Sequence, residues 1–436
     1  MKNFMQLILP NRKLKASGEK TGGTQVSICI VKTLFLAASM VTIASCGGGS
    51  GGNTTPPAAA PTSTDLGGKI IGKIARKGVA GTWGYTAADG HNYAIMGTAK
   101  GVLVLDLIDP NNPRVVDEVD GPTNTNLPGI YWREMRVYGT HAYIVSEHTN
   151  VRGGIMILDL SALPQSVRYV TSVVPRDRQL AAHTVDIDTA RGLLYLQRES
   201  NTPGSPDFVA PHAQQNFDGK QLSGGTQKPS EPVGGANRGS IEIWDIKTDP
   251  ENPTYVSTFN GGKSIHDMTA VGKYCYVAEG NAHSYSIWNV EDPKLPVLQV
   301  RWEVEAGHFS HNIWPSADGS FVVTTEEIPV GLPAKVWKLN GALAPTLLSS
   351  FKSGTGTPHN VIMEGNLAYL SHYSEGAMVV DLTNPAAPRT IAHVDTNSDN
   401  GPALGGCWGV YKFPGQNLMI CSDIDNGFNL IRITGI

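Results

Sequence analysis

GVLVLDLIDPNNP, residues 101–113, is the stretch that decides the fold, because variants of it return along the chain. The further copies are GIMILDLSALP (154–164), SIEIWDIKTDPENP (240–253), SYSIWNVEDPKLP (284–296), AMVVDLTNPAAP (377–388) and a degenerate copy, AKVWKLNGALAP (334–345). Most copies lie about 40 to 50 residues apart, which is the repeat length of propeller blades. The repeat therefore predicts a radial architecture in which each unit packs only on its neighbours.

Each unit is predicted to contain four strands, as propeller blades do, with the repeated phrase as the third. Val102, Leu103, Val104 and Leu105 make both faces of that strand apolar. A strand that is apolar on both faces has to be covered on both, and a blade lying between two other blades supplies that cover. We therefore predict an all-β fold, a β-propeller of four-stranded blades.

The number of blades follows from the starts of the first strands, each of which carries a tryptophan or a histidine. Counting them predicts seven blades, with starts at Trp83, Trp132, His183, His266, His311, His359 and Trp408. The seventh unit ends at 428–436 without a fourth strand, while an orphan strand, KIIGKIARKG (69–78), precedes the first unit. We expect this N-terminal strand to close the last blade, because that pairing removes an open sheet edge. The Gly- and Pro-rich insert at 201–238 is expected to be a long surface loop.

An aspartate or asparagine ends most copies of the repeated phrase. An acidic residue repeated at one place would also suit catalysis. An Asx side chain entering a turn before D-P-x-x-P can, however, bond its own backbone, so we favour a structural role in the turn. The residues concerned are Asp106, Asp159, Asp245, Asn289 and Asp381.

The N-terminal part of the chain predicts export and lipid anchoring. Residues 1–46 are interpreted as a signal peptide with a lipobox, since a basic flank and the apolar run LFLAASMVTIAS (34–45) precede Cys46. Cys46 is the expected lipidation site; a plain signal peptide with an incidental cysteine is the alternative. Residues 47–65 form a Gly/Pro/Ser/Thr linker, and 66–436 the propeller. The protein is therefore expected in a bacterial envelope, at the outer membrane or cell surface, and as a monomer.

Composition excludes several classes of function. The formal net charge of the 436-residue chain is −4 and no basic stripe is present, so nucleic acid is not an expected partner. The predicted propeller, residues 66–436, contains no G-x-S-x-G, Walker, dinucleotide-binding or C-x-x-C motif, which disfavours hydrolases and nucleotide enzymes of familiar type.

Three cysteines, Cys275, Cys407 and Cys421, lie in the predicted propeller. A turn at the FPG of WGVYKFPGQNLMI would place Cys407 across from Cys421, and an exported protein meets an oxidising compartment. A disulfide between them is thus possible. Two reduced, buried cysteines are the favoured expectation.

The starts of the first strands carry the candidate functional residues. In an antiparallel hairpin the start of strand one lies beside the end of strand two, and first strands line the channel of a propeller. Imidazoles and carboxylates are therefore expected to gather at one channel mouth, where they could hold a transition metal such as copper, zinc or iron. The candidate metal ligands are His183, His266, His311, His359 and Glu326.

The same mouth could instead hold a polar ligand, with tryptophan rings as apolar platforms. The candidate ligand-binding residues are Trp83, Trp132, Trp408, Glu147, Glu199, Glu279, His372 and Asp423. A third interpretation is structural, in which each histidine ties adjacent blades through hydrogen bonds. The sequence leaves all three open.

The succession of units resembles the LVIVD-repeat proteins of the choice-of-anchor B family. The resemblance is carried by GTWGYTAADGHNYAIMGT (81–98), YWREMRVYGTHAYIVSE (131–147), HTVDIDTARGLLYL (183–196), SHNIWPSADGSFVV (310–323) and CWGVYKFPGQNLMICSDIDNG (407–427). It covers about residues 69–436 and implies a surface protein of bacteria or archaea with a propeller. It implies no established activity.

Three functions follow as hypotheses. The first is a lipid-anchored surface protein that binds a ligand or protein partner without turnover. The second is an exported metal-dependent enzyme, such as an oxidoreductase, with a His/carboxylate centre at the channel mouth. The third is a purely structural member of a surface assembly.

Overall fold

Seven antiparallel sheets of four strands each follow one another along the chain. The computed structural model describes residues 66–121, 132–146, 153–174, 182–198, 239–261, 263–341, 343–398, 404–434 and 436. Cys46, Glu147, Glu199 and the insert at 201–238 lie outside the described residues. The described part forms no helix that could cross a membrane. The predicted all-β, seven-bladed propeller is confirmed.

Each of the first six blades is a run of four consecutive strands. They are β2 Val79–Thr86, β3 Asn92–Thr98, β4 Gly101–Asp106 and β5 Arg114–Asp120; β6 Arg133–Tyr138, β7 His141–Ser146, β8 Ile155–Asp159 and β9 Arg168–Val173; β10 Val185–Asp188, β11 Leu193–Arg198, β12 Ser240–Asp245 and β13 Thr254–Phe259; β14 Asp267–Val271, β15 Tyr274–Ala278, β16 Ser284–Asn289 and β17 Val297–Glu303; β18 Ser310–Pro315, β19 Phe321–Glu326, β20 Ala334–Asn340 and β21 Leu343–Phe351; β22 Val361–Glu364, β23 Leu367–Ser371, β24 Ala377–Asp381 and β25 Arg389–Val394. The last blade combines the first strand with the last three: β26 Cys407–Lys412, β27 Leu418–Asp423, β28 Gly427–Ile433 and β1 Gly68–Ala75.

The two faces of the third strand pack on different neighbours, as the repeated phrase predicts. In β4, Val102 and Val104 share a buried cluster with Ile144 of the second blade. Leu103 lies in another cluster, with Ile420 of the last blade. Fully burying a side chain of this kind contributes about 1.5 to 3 kcal/mol. The repeated phrase therefore joins each blade to both neighbours.

The first strand of every blade faces the centre. Each of β2, β6, β10, β14, β18, β22 and β26 contacts the first strand of the next blade, and β26 returns to β2. Residues at the starts of these strands are therefore brought together at one end of a central channel, and residues at their ends at the other.

The N-terminal strand closes the ring as predicted. β1 pairs antiparallel with β28, from Gly68 opposite Ile433 to Ala75 opposite Gly427. Gly72 of β1 is buried so close to the first blade that a Cβ there would lie 2.5 Å from the carbonyl oxygen of Pro110. Only glycine fits this approach. β1 thus joins the last blade to the first.

The Asx residues at the end of the repeated phrase are confirmed as turn residues. In each, a side-chain oxygen accepts a hydrogen bond from the backbone N–H two residues later, at 2.8 or 2.9 Å. This holds for Asp106, Asp159, Asp245, Asn289 and Asp381.

The expectation of two reduced cysteines is wrong. Cys407 of β26 and Cys421 of β27 form a disulfide, with Cα atoms 5.8 Å apart. The turn between the two strands brings them across from each other, which is the condition that the sequence suggested. Cys275 is a buried free thiol.

Candidate functional site

Six aromatic rings form a continuous row at the starts of the first strands, which we call the imidazole row. Its members are buried or half-buried. Neighbouring ring centroids lie between 4.1 and 5.2 Å apart along the order His183, His266, His311, His359, Trp408 and Trp132. Four blades in succession therefore place their imidazoles side by side at one end of the channel.

β-Bulges set the direction of two members of the row. The pairing of β18 with β19 shifts register at His311, and that of β26 with β27 shifts at Trp408. A bulge interrupts the strict alternation of faces and re-aims a side chain, and bulges are frequent beside functional sites.

Hydrogen bonds between blades fix the tautomer of two imidazoles. Nδ1 of His266 lies 2.9 Å from the carbonyl oxygen of His311, and Nδ1 of His359 lies 2.5 Å from that of Trp408. Because a carbonyl only accepts, each Nδ1 carries the proton. These bonds are the blade-tying contacts of the structural interpretation. They leave Nε2 of His359 with a lone pair that is not used by these bonds when the ring is neutral.

Burial keeps part of the row neutral. Desolvation lowers the pKa of His311 and holds that of His359 well below its usual value. Neighbouring imidazoles act in the same direction, because two close positive charges repel. Neutral imidazole is the form that binds metal ions.

One carboxylate approaches the row. Oε1 of Glu327 lies 3.8 Å from Nε2 of His359 and accepts a hydrogen bond from the Tyr373 hydroxyl at 2.5 Å. One ligand atom from each of His311, His359 and Glu327 lies within 4.8 Å of the others. The row thus supplies an imidazole–imidazole–carboxylate group.

Two carboxylates expected at this mouth are engaged elsewhere. Glu326, the predicted metal ligand, accepts from Lys335 Nζ at 2.7 Å and contacts His308 Nδ1 at 2.6 Å. The Glu279 carboxylate accepts hydrogen bonds from Nε and Nη2 of Arg301 at 2.9 to 3.0 Å and from two serine hydroxyls. Both carboxylates form ion pairs within their own blades, and Glu327 lies at the row where Glu326 was expected.

Only some of the other predicted ligand-binding residues lie in the row. Trp132 and Trp408 stack on each other, with planes 10° apart, and belong to the row. His372 is fully buried, with its pKa lowered by burial to about 4, and accepts from the Ser353 N–H at 3.3 Å. Burial raises the pKa of Asp423 to about 6, although it accepts from Thr396 at 2.7 Å. Neither His372 nor Asp423 is part of the row.

Trp83 lies at the opposite end of the channel, away from the row. Its ring is 4.8 Å from that of Tyr411, and the Arg136 guanidinium lies 4.1 Å above it. The physical reason is its register along the strand. Trp83 pairs with Ile95 and lies further from the start of its first strand than Trp408 does. The structure therefore separates Trp83 from the other two tryptophans.

An open cavity of about 900 Å³ occupies this second end. Its wall contains both aromatic and polar side chains, which include Trp83, Trp314, Tyr411, Arg136, Asp186 and Thr269. Sequence reasoning missed it. A signal was present, because Asp186, Thr269, Trp314 and Tyr411 each stand three residues after a member of the row.

A network of buried charges borders the cavity. Arg136 donates from Nε to Asp186 at 2.8 Å and from Nη1 to Glu134 at 3.0 Å. Burial raises the pKa of Glu134 to about 7, although Arg136 lowers it, and burial raises the pKa of Asp186 as well. Burial opposes the charge of Arg136, yet Asp186 and Glu134 together raise its pKa. The guanidinium is thus neutralised by its own carboxylates.

A second group with metal-ligand residue types, His141, Asp159 and Glu251, lies outside the channel, half-buried between the second and third blades. Arg168 pairs with both of its carboxylates. The guanidinium of Arg168 therefore already supplies the positive charge that a metal ion would bring to this group.

Comparisons with known proteins support the fold. The LVIVD repeat family matches residues 355–396, which contain the sixth blade. No curated protein matches the chain. The structure of U3-55K is similar with a TM-score of 0.55, at 9% identity over 84% of this chain and 98% of that chain. The RRP9 WD40 repeats give 0.52, at 10% identity over 86% and 99%. A chain of the mitotic checkpoint complex gives 0.52, at 10% identity over 91% and 99%. Identities this low show a shared fold alone.

Proposed function

We propose that this chain is a lipid-anchored bacterial envelope protein whose propeller binds a small neutral, hydroxyl-rich ligand, of the saccharide class, without turnover. The observation that carries the proposal is the cavity of about 900 Å³ at the open end of the channel. Its size lies in the range of small-molecule sites, and its wall combines apolar surfaces with a few polar groups.

The wall chemistry favours a neutral ligand with one apolar face. Trp314 and Tyr411 offer flat aromatic surfaces, on which the C–H face of a sugar ring packs. The cations at the wall are already paired, Arg136 with Asp186 and Lys412 with Glu364 at 2.6 Å. Because these charges are compensated internally, they attract no ionic ligand strongly, yet their polar atoms can hydrogen-bond hydroxyl groups.

The same pairing supports binding rather than catalysis. Asp186 accepts from Arg136 and from the Ala270 N–H at 2.7 Å. Glu364 accepts from Lys412 and from the Gly415 N–H at 2.8 Å. A carboxylate fixed by two donors is poorly placed to exchange a proton with a substrate. The alternative of an exported metal-dependent enzyme depends on the other end of the channel, where the imidazoles lie.

The location rests on the sequence of the N-terminal segment. A lipidated Cys46 and the linker 47–65 would hold the propeller beside a membrane while leaving it free to reorient. Radiolabelled palmitate incorporated into the wild type and absent from Cys46→Ser, together with release of that variant from the membrane fraction, is the expected result. Equal labelling of both proteins contradicts the anchor.

The ligand proposal is tested by a thermal-shift screen of neutral mono- and oligosaccharides, followed by calorimetry on each hit. Trp314→Ala should weaken binding about tenfold, or ~1.4 kcal/mol, as expected for the loss of one aromatic contact. Trp132→Ala, a tryptophan of the row at the opposite end, is the matched control and should leave affinity unchanged. Mass spectrometry should recover the saccharide intact. A screen without hits, or equal losses in the two variants, contradicts the proposal.

A further inference from the structure

We infer that His311, His359 and Glu327 form a binding site for one divalent transition-metal ion at the end of the channel that holds the imidazole row. This site is separate from the cavity and goes beyond the proposed function. Its three ligand atoms lie within 4.8 Å of one another.

The first observation is that two acceptors face each other. Nδ1 of His359 donates to the Trp408 carbonyl, so Nε2 of the neutral ring presents a lone pair. That lone pair lies 3.8 Å from Oε1 of Glu327. Among the described residues, the Glu327 carboxylate accepts one hydrogen bond, from Tyr373, which leaves further lone pairs on it. Two acceptors this close together in a largely buried site repel, and a cation between them would remove the repulsion.

The second observation is independent and concerns His311. This side chain is 3% exposed, and the backbone carbonyl of the next blade, that of His359, acts on its ring as a hydrogen-bond partner, as the Trp408 carbonyl does for His359. Nδ1 lies outside ideal hydrogen-bond geometry among the described residues. A neutral imidazole that donates from one ring nitrogen keeps a lone pair on the other, which a metal ion can bind.

The geometry is close to that of a coordination sphere. Tetrahedral sites with metal–ligand bonds near 2.0–2.1 Å need donor atoms about 3.4 Å apart. The donor atoms of His359 and Glu327 are 3.8 Å apart and all three lie within 4.8 Å, so an ion would draw them together by about 0.4 to 1.4 Å. Two outer contacts are typical of metal sites: the imidazole N–H bound to the Trp408 carbonyl and the carboxylate held by Tyr373.

The donor set decides the class of metal. Two imidazoles and one carboxylate suit Zn²⁺, Co²⁺, Ni²⁺, Cu²⁺ or Fe²⁺, whereas Mg²⁺ and Ca²⁺ prefer oxygen ligands alone. Three protein ligands leave at least one position for water or a small ligand. Glu327 is the least buried of the three, with 17% of its side chain exposed, and marks the side from which an ion reaches the site.

The test uses Co²⁺ as a spectroscopic probe on the full chain, purified without a histidine tag and stripped with a chelator. Titration should give visible absorption that saturates at one ion per chain and is displaced by Zn²⁺. Glu327→Gln, which keeps the shape of the side chain, should weaken Co²⁺ binding by at least about 100-fold, since changes in outer contacts alone cost about 10- to 100-fold. His311→Phe keeps a ring in the row and should have the same effect.

His141→Ala is the matched control, because it removes a histidine from the other His/carboxylate group. It should bind Co²⁺ as the wild type does. Zn²⁺ should raise the melting temperature of the wild type and of His141→Ala, and not that of Glu327→Gln. No visible absorption with the wild type, unchanged binding in both Glu327→Gln and His311→Phe, or loss of binding in His141→Ala overturns the inference.

Discussion

Closure of the ring by β1 should contribute several kcal/mol to the stability of the whole propeller. Ile70 packs against the cluster between the sixth and last blades, and Ile71 and Ile74 pack against the cluster between the last and first blades. The perturbation is the triple variant Ile70→Ala, Ile71→Ala, Ile74→Ala. It keeps the backbone of β1 and removes the side chains that fasten it.

The magnitude follows from the carbons removed. Each substitution deletes three carbons, worth about 2.4 kcal/mol if fully buried, at about 0.8 kcal/mol per CH₂. These side chains are partly buried, so about half of that applies to each. The triple variant should therefore lose about 4 kcal/mol, a large share of a typical stability of about 5 to 15 kcal/mol.

The assay is equilibrium unfolding in guanidinium chloride, with limited proteolysis as a second readout. Loosened β1 exposes the edge of β28, so protease should cleave the variant first near the start of the propeller. The control is Val297→Ala, Leu298→Ala on β17, another outer strand, where the side chains are 55% and 37% exposed. By the same arithmetic it should lose about 2 kcal/mol, half the loss of the triple variant. A triple variant as stable as this control would refute the closure.

Three further predictions concern buried groups. Because burial lowers the pKa of His372 to about 4, the folded state binds fewer protons than the unfolded state between about pH 6.5 and 4, so stability falls as pH falls through this window. Thermal unfolding across this pH range should show that His372→Gln loses about 3 kcal/mol less stability on acidification than the wild type does. An unchanged pH profile contradicts the assignment to His372. Peptide mapping without reductant should recover Cys407 linked to Cys421, and two free thiols there would contradict the disulfide. Glu279→Ala should cost about 3 kcal/mol in denaturant unfolding, because Arg301 stays half-buried and unpaired, whereas a loss below ~1 kcal/mol would mean that the ion pair is dispensable.

The features that repeat were predictable from the sequence. Val102 to Leu105 have to be covered on both faces, and that requirement alone leads to blades packed on two sides. The missing last strand and the orphan strand ahead of the first unit predicted the closure. The imidazole row was also expected as an arrangement, because antiparallel hairpins align the starts of successive first strands. Its role as a metal site stays a prediction.

The features that depend on register were not predictable. Glu326 and Glu327 are adjacent acids, and strand alternation turns them to different sides. Glu326 ends β19 and pairs with Lys335, whereas Glu327, one residue beyond the strand, approaches the row. Trp83 resembles Trp408 by residue type, yet its strand pairing places it at the cavity end. A pattern of residue types carries no information on such one-residue shifts.

The central claim is that the open end of the channel is the binding site. The most direct measurement is a high-resolution crystal structure of the protein with the saccharide that ranks first in calorimetry. We expect a sugar ring against Trp314 or Tyr411, with its hydroxyls bonded to Arg136 or Asp186. A sugar bound on another surface, with only water in the cavity, would contradict it.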